Sequence, residues 1–191
     1  MLLVALALSL IVGLLRGGKI SRFGDFSLKN VELIVLAFLV QVALRLAGPM
    51  GWNFLRGLAW AIYAVSFLML AYAIWGNRQT AGVPWILAGV IMNFIAIMAN
   101  GGKMPVSGRL WAMGGMSLDS LKPEVNFTHQ LLTPDARLPW LTDVLRLPKA
   151  LLLPTVFSAG DVAVMVGLFI LVQVVMKPRA REGMWVRYLP R

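Results

Sequence analysis

Five runs of apolar residues limit what this chain can fold into. They occupy 1–15, 31–46, 54–75, 83–99 and 162–176 of the 191 residues. Hydrophobic residues make up 59% of the chain and charged residues 14%, whereas a soluble domain has about 25% charged residues. A helix satisfies its own backbone polar groups in lipid. We therefore predict an all-α integral membrane protein of one domain, 1–191, with about five transmembrane helices and a long irregular extracytoplasmic loop, 101–160, before the last helix.

The first and last runs are short for a hydrocarbon core of about 30 Å. We expect each of them to borrow flanking residues or to pack against longer neighbours, and the sequence leaves open whether the first one crosses completely. Basic residues Arg16, Lys19 and Arg22 follow the first run, whereas a secretory signal carries its basic residues before the apolar stretch. The first run is therefore predicted to be a retained helix.

The distribution of basic residues predicts the orientation, because cytoplasmic loops of membrane proteins are enriched in Lys and Arg. With the N-terminus outside, the short cytoplasmic connections and the tail, 177–191, hold ten basic residues: Arg16, Lys19, Arg22, Lys29, Arg78, Lys177, Arg179, Arg181, Arg187 and Arg191. We expect a bacterial cytoplasmic membrane protein, N-terminus outside and C-terminus inside, with the lipid bilayer as its partner. The net charge of +10 then follows from topology, and no nucleic-acid partner is predicted.

The chain has no Cys, and His129 is its single histidine. Without cysteine there is no disulfide framework, thiolate nucleophile or iron–sulfur site, and one histidine cannot build a multi-histidine zinc or haem site. We predict no metal and no cofactor.

The loop at 101–160 is the unusual part of the sequence. Six prolines prevent a long helix there, while short apolar stretches such as Leu110-Trp-Ala-Met make it unlike a free linker. We expect it to fold back onto the outer membrane surface, where a loop of this length usually serves a function.

Asp161 stands at the start of the last apolar run and allows two interpretations. Ser158-Ala-Gly-Asp161 has the form of a capping box, in which Ser158 and Asp161 satisfy the first turn of a helix. Alternatively, Asp161 meets Asp143, which lies in the apolar stretch Leu141-Thr-Asp143-Val-Leu145. Two carboxyl groups at one water-accessible place cannot both ionise easily, so one keeps a proton and the pair is able to activate water against an amide, as in aspartyl proteases.

The end of the chain resembles lipoprotein signal peptidase (signal peptidase II). Its pattern, V-x-D-F and then F-N-x-A-D with a glycine six residues further on, aligns with Leu141-Thr-Asp143-Val, Phe157-Ser-Ala-Gly-Asp161 and Gly167. This resemblance implies that Asp143 and Asp161 are a catalytic pair at the outer leaflet. The sequence differs from that pattern at Ser158, and it lacks the Asp-Arg that follows the asparagine of an earlier family motif.

A second resemblance covers nearly the whole chain. Asn100-Gly-Gly-Lys-Met-Pro-Val106 follows one helix, His129 lies in the loop, and Leu141-Thr-Asp143 and Phe157-Ser-Ala-Gly-Asp161 precede the last helix. In these motifs the chain resembles DUF5317, a family of uncharacterised bacterial multipass membrane proteins. The resemblance implies a fold and a compartment but no activity.

Other polar residues are candidates for binding or supporting roles. Asn100-Gly-Gly suits a helix C-terminal cap with positive φ; in the alternative, Lys103 and nearby amides bind an anionic headgroup or a substrate carboxylate. His129 is either an ordinary loop histidine or a titrating partner of the two aspartates. Asn93 and Asn100 are seven residues apart and could share one helix face.

Three classes of function remain open. The first is a non-enzymatic protein that binds a membrane or extracytoplasmic protein partner, or lipid, through the loop. The second is an aspartate-dependent membrane endopeptidase that uses Asp143 and Asp161. The third is a small-solute permease, which needs a polar cavity lined by Gln41, Asn93 or Gln173. The sequence does not identify a substrate, a ligand, a pathway or an oligomeric state.

Overall fold

The computed structural model describes residues 2–146 and 156–177, and within them the chain is mostly helical. The helices are α1 (Leu2–Leu15), α2 (Val31–Ala47), α3 (Ala59–Trp75), α4 (Val83–Ala99), the short α5 (Gly108–Met113) and α6 (Ala159–Met176). Short 3-10 helices occupy Ile20–Asp25, Asn53–Leu55, Leu118–Leu121 and Pro139–Leu141. The end of the predicted tail, 178–191, and the part of the predicted loop at 147–155 lie outside the described residues.

Within residues 2–146 and 156–177, one helix, α6, has both the length and the composition to cross a membrane. Three shorter helices, α1, α3 and α4, are also apolar. Five complete spans therefore do not follow from the helix lengths. The third helix shows why: the sequence predicts it over 54–75, yet the chain forms a 3-10 turn at Asn53–Leu55 and begins α3 only at Ala59.

The long helices pack in a row. α1 lies against α6, α6 against α4, α4 against α3, and α3 against α2. Their shared core is buried and apolar; its larger members include Leu44, Phe67, Ile74, Leu87, Ile97, Phe127 and Leu171. The outward faces are apolar as well, with large exposed side chains such as Leu15, Phe38 and Val65.

Glycines allow α4 and α6 to approach closely. An added Cβ on Gly89 would overlap with the carbonyl oxygen of Gly160, and one on Gly167 would overlap with the carbonyl oxygen of Gly82. Small residues at helix crossings of this kind permit backbone contact. Gly82 and Gly89 are themselves buried at this crossing. This contact brings the start of α6 beside the second half of α4.

The described residues between α4 and α6 form short strands and helices, whereas the sequence predicts an irregular loop. Strand β1 (Met104–Val106) pairs in parallel with β2 (His129–Leu131), and β3 (Leu145–Arg146) pairs antiparallel with β4 (Val156–Phe157). A small cluster of Val106, Trp111 and Leu121 is buried inside it. The prolines do prevent long helices, but two- or three-residue strands need few backbone donors, so they tolerate Pro105. We call the described residues 100–146 and 156–158 the connecting segment.

Candidate functional site

A cavity of about 340 Å³ lies where the connecting segment meets one end of the helix row. Every long helix and three strands contribute to its wall. Its polar lining residues are Gln41, Arg45, Tyr63, Asn93, His129, Asp143 and Asp161, and its apolar ones are Leu2, Phe67, Ile97, Met104, Trp111, Met116 and Val156. The two aspartates singled out in the sequence thus open onto the same space.

Asp161 is held by the first turn of α6. Its Oδ2 atom accepts the backbone N–H of Ser158 at 3.2 Å, and its own N–H donates to the Ser158 hydroxyl at 3.0 Å. This is the capping box predicted from Ser158-Ala-Gly-Asp161, and it is confirmed. The box leaves Oδ1 for a contact across helices: the side-chain amide of Asn93 donates to it at 2.9 Å. The Ser158 hydroxyl closes the ring by donating to Oδ1 of Asn93 at 2.7 Å.

Asp143 reaches the cavity by pairing with β1. Its N–H donates to the carbonyl of Pro105 at 3.0 Å, and its own carbonyl accepts the N–H of Ser107 at 3.0 Å. β1 therefore carries His129 on one side, through the register Met104 with His129, and Asp143 on the other. The last three residues of the Asn100-to-Val106 motif form β1 and so bring these two residues together.

The surroundings of Asp143 favour its protonated form. The residue is 7% exposed. Burial, together with the negative charge of Asp161, raises the pKa of Asp143 to about 8, against a smaller opposing effect of Arg45. At neutral pH the Asp143 carboxyl therefore holds a proton. Asp161 accepts hydrogen bonds from two N–H donors, those of Ser158 and Asn93.

His129 lies beside Asp143 without bonding to it. The Nε2 atom of His129 is 3.8 Å from Oδ2 of Asp143, and Nδ1 is 2.8 Å from the hydroxyl of Thr128. Burial, and then the charge of Arg45, lowers the pKa of His129 to about 4. The histidine is therefore neutral at neutral pH and forms no ion pair with Asp143.

Three other residues predicted for the site do not line the cavity. Asn100 ties the end of α4 to the connecting segment: its amide donates to the carbonyls of Ala96 and Arg137, both at 2.8 Å, and its Oδ1 accepts the N–H of Arg137 at 2.9 Å. Lys103 donates to the carbonyl of Asn126 at 2.6 Å. Ser158 acts through its bonds to Asn93 and Asp161. The glycines after Asn100 have the predicted positive φ, 72° at Gly101 and 85° at Gly102.

Three further residues that the sequence did not predict for the site line the cavity: Arg45, Tyr63 and Trp111. Arg45 could have been found, because it lies four residues after Gln41 and therefore on the same face of α2; two polar side chains one turn apart on an apolar helix are a usable signal. Tyr63 and Trp111 gave no such signal, since aromatic residues are common in apolar segments.

Several polar groups face the same cavity. Asp143 is a proton donor at neutral pH, Asp161 is an oriented acceptor, and Asn93, His129 and Tyr63 supply further polar groups around the same space. Within the described ranges, no three His, Cys, Asp or Glu side chains come together as a metal site.

Comparison with known proteins identifies a family to which no activity is assigned. A model described as a family of unknown function, DUF5317, matches residues 25–173, a range that includes every cavity residue except Leu2. An uncharacterised protein of Thermotoga maritima is 28% identical over 178 residues, which cover 93% of this chain and 89% of the relative. No solved structure matches the chain significantly.

Proposed function

We propose that this chain, which belongs to the DUF5317 family of unknown function, is a multipass membrane hydrolase that uses Asp143 and Asp161 as its acid and base. One observation carries the proposal: a buried aspartate whose pKa is raised to about 8 lines the same cavity as a second aspartate oriented by a capping box and Asn93. Strongly perturbed carboxyl groups in a cleft are typical of catalytic sites.

The proposed setting is the bacterial cytoplasmic membrane, crossed by α1, α2, α3, α4 and α6 with the N-terminus outside. Support comes from the length and apolarity of α6, the apolar composition of three further helices, and apolar side chains on the outward faces. Leu15 is 83% exposed and Val65 is 63% exposed, and lipid would cover both. The density of basic residues in the short connections supports the orientation. The cavity then lies near the outer boundary.

The proposed reaction is hydrolysis of an amide. Asp161, as a carboxylate, takes a proton from water while the water oxygen attacks the carbonyl carbon, and Asp143 gives its proton to the carbonyl oxygen. In the second step the carbon–nitrogen bond breaks. Asp161 returns its proton to the leaving nitrogen, and Asp143 recovers one from a hydroxyl of the diol. Both carboxyl groups end as they began, which is the logic of a carboxyl pair that shares one proton.

The proposed substrate is a polypeptide anchored at the membrane. The sequence resemblance of 141–167 to signal peptidase II supports an amide over an ester. The cavity's position at one end of the helix row, beside lipid-facing helices, supports a substrate that approaches along the membrane surface.

The permease reading is less well supported. Gln41 and Asn93 do line the cavity, but Gln173 lies at the other end of α6, where its amide donates to the carbonyl of Ser9 at 2.8 Å. Buried apolar residues, including Val83, Leu87 and Leu171, fill the helix row toward that end.

Binding of a partner or of lipid through the connecting segment stays a second candidate. Its buried cluster around Trp111 shows a segment packed on itself, which favours a cover for the cavity over a free docking loop. Some apolar side chains nevertheless face outward; Trp140 is 66% exposed and Leu118 is 50% exposed. Such groups suit contact with the lipid interface.

The test compares Asp143→Asn, Asp161→Asn and the control Asp135→Asn, a replacement on the same segment but at an exposed aspartate outside the cavity. Full-length variants in proteoliposomes are assayed for cleavage of membrane-anchored precursor polypeptides, beginning with lipoprotein precursors, and their membrane abundance is measured alongside. We expect both cavity variants to lose at least 100-fold in rate at normal abundance, as removal of a general acid or base does, while the control keeps full activity. Cleavage retained by Asp161→Asn would contradict the proposal.

A further inference from the structure

A second polar cavity lies at the opposite end of the helix row. It measures about 320 Å³ and is formed by the 3-10 helix Ile20–Asp25, the end of α6 and the turn before α4. Arg22, Lys177 and Thr80 contribute its hydrogen-bond donors, and Asp25 is its acidic member. We call this cavity the basic pocket.

A smaller cavity of about 160 Å³ adjoins the basic pocket and shares Lys177 with it. Arg16 and Gln173 line this smaller space, and Nη1 of Arg16 donates to Oε1 of Gln173 at 3.3 Å. Three basic side chains therefore surround the end of α6, against one carboxyl group. In the part of the chain that the structure describes, none of these four charged groups forms an ion pair.

Arg22 is held in place by a carbonyl at the end of α6. The guanidinium of Arg22 donates to the carbonyl of Met176, in the last turn of α6, and the N–H of Lys19 donates to the same carbonyl at 3.3 Å. Arg22 is therefore anchored at a fixed point, with its remaining donors available to a ligand.

The walls of the basic pocket are apolar on the side of α6. Val174 and Val175 of α6 line the basic pocket together with Phe26. Val174 is 47% exposed on the outward face of α6. A ligand with an anionic head and apolar chains would place its head among Arg22, Lys177 and Thr80 and its chains along α6. A free inorganic anion would leave this apolar wall unused.

We propose that the basic pocket binds the phosphodiester headgroup of an anionic phospholipid. Arg22, Lys177 and Thr80 lie beside an exposed apolar helix face at a helix end, and basic pockets between membrane helices recognise such headgroups. This inference rests on the membrane location proposed above and is independent of the hydrolase activity at the other end of the molecule.

Asp25 distinguishes specific headgroup binding from non-specific adsorption of lipid. Its carboxylate repels the phosphodiester, so Asp25→Asn should tighten binding, while Lys177→Gln should weaken it. Each basic side chain at a membrane surface contributes enough to change affinity by about fivefold. Lys177 is exposed, so its replacement leaves the fold intact. Arg22→Lys serves as a second variant that keeps the charge but loses the forked geometry.

The experiment uses the full chain purified in a neutral detergent and titrated with phosphatidylglycerol or phosphatidylethanolamine, with bound lipid counted by native mass spectrometry. The matched control is Arg78→Gln, which removes a basic residue at the same end that stacks 4.7 Å over the ring of Trp75, outside the pocket. We expect at least fivefold preference for phosphatidylglycerol, about fivefold weaker binding in Lys177→Gln, tighter binding in Asp25→Asn and no change in Arg78→Gln.

Three outcomes would overturn the proposal. The first is equal retention of the two lipids. The second is an equal loss in Arg78→Gln and Lys177→Gln, which would indicate general surface charge. The third is displacement of the lipid by millimolar inorganic phosphate, which would identify a site for the free anion. Cleavage activity at the aspartate cavity is measured on the same preparations, so a failure here is separable from a failure of the proposed hydrolase.

Discussion

The side-chain amide of Asn93 donates a hydrogen bond of 2.9 Å to Oδ1 of Asp161 and so links α4 to the first turn of α6. The same asparagine accepts the Ser158 hydroxyl at 2.7 Å. The helix cap and the orientation of the Asp161 carboxylate are therefore one hydrogen-bonded unit. A residue that caps a helix is here also a residue whose two oxygens have fixed directions, which is what a catalytic carboxylate requires.

Replacement of Ser158 by Ala tests this unit. The change removes the acceptor for the Asp161 N–H and the donor to Asn93, so we expect the free energy of unfolding to fall by about 1–2 kcal/mol. Ser107→Ala is the matched control, because Ser107 precedes α5 without a side-chain capping bond; it should change stability by less than about 0.5 kcal/mol. Chemical unfolding in detergent measures both. Equal losses in the two variants would show that the capping box does not contribute to the free energy of unfolding.

The close contact of α4 and α6 predicts a steric effect at Gly160. A Cβ there would overlap with Oδ1 of Asn93 and approach the backbone carbonyl of Gly89. Gly160→Ala should therefore cost about 1–3 kcal/mol of stability through overpacking and should displace Asn93 from Asp161. Gly24→Ala, at a glycine with no atom within 4 Å of an added Cβ, should be tolerated. Thermal unfolding of the purified variants compares the two, and a stable Gly160→Ala protein would contradict the described helix contact.

Stability should depend on pH through Asp143. Its pKa is raised from 3.8 to about 8 on folding, so the folded protein keeps a proton that the unfolded chain releases, and the free energy of unfolding falls as pH rises toward 8. His129 acts oppositely: its pKa is lowered from 6.5 to about 4, so its contribution is lost as pH falls below 6.5. Of these two groups, Asp143 alone changes the free energy of unfolding between pH 6.5 and 8. It lowers that free energy by up to about 1.4 kcal/mol per pH unit.

The measurement is unfolding at pH 6.5 and at pH 8 for the wild type, Asp143→Asn and Asp135→Asn. The wild type and the Asp135 variant should lose stability over this interval, and Asp143→Asn should lose much less. Parallel losses in all three proteins would mean that Asp143 does not hold its proton on folding.

Features that depend on a few neighbouring residues could be predicted from the sequence. The capping box needs only the spacing of Ser158 and Asp161, and the positive φ after Asn100 needs only two consecutive glycines. Gly82 and Gly89 likewise indicate a close helix contact, because small residues are what such a contact requires.

Features that depend on distant pairing could not be predicted with the same certainty. The approach of His129 to Asp143 requires β1 to pair with two other segments, and strands of two or three residues carry almost no periodic signal. The length of the third helix is also beyond the sequence pattern, since a 3-10 turn at Asn53–Leu55 delays the start of α3 to Ala59.

The most direct test of the account is an infrared titration of carboxyl groups in the full-length protein in detergent, for the wild type, Asp143→Asn and Asp161→Asn. We predict one protonated carboxyl band that persists at neutral pH, disappears with a midpoint near pH 8, and is absent from Asp143→Asn. In Asp161→Asn the midpoint should move to lower pH, because the charge that helps to hold the proton is gone. A wild-type protein without a protonated carboxyl group at neutral pH, or a midpoint that Asp161→Asn leaves unchanged, would contradict the claim that the two aspartates act as a pair.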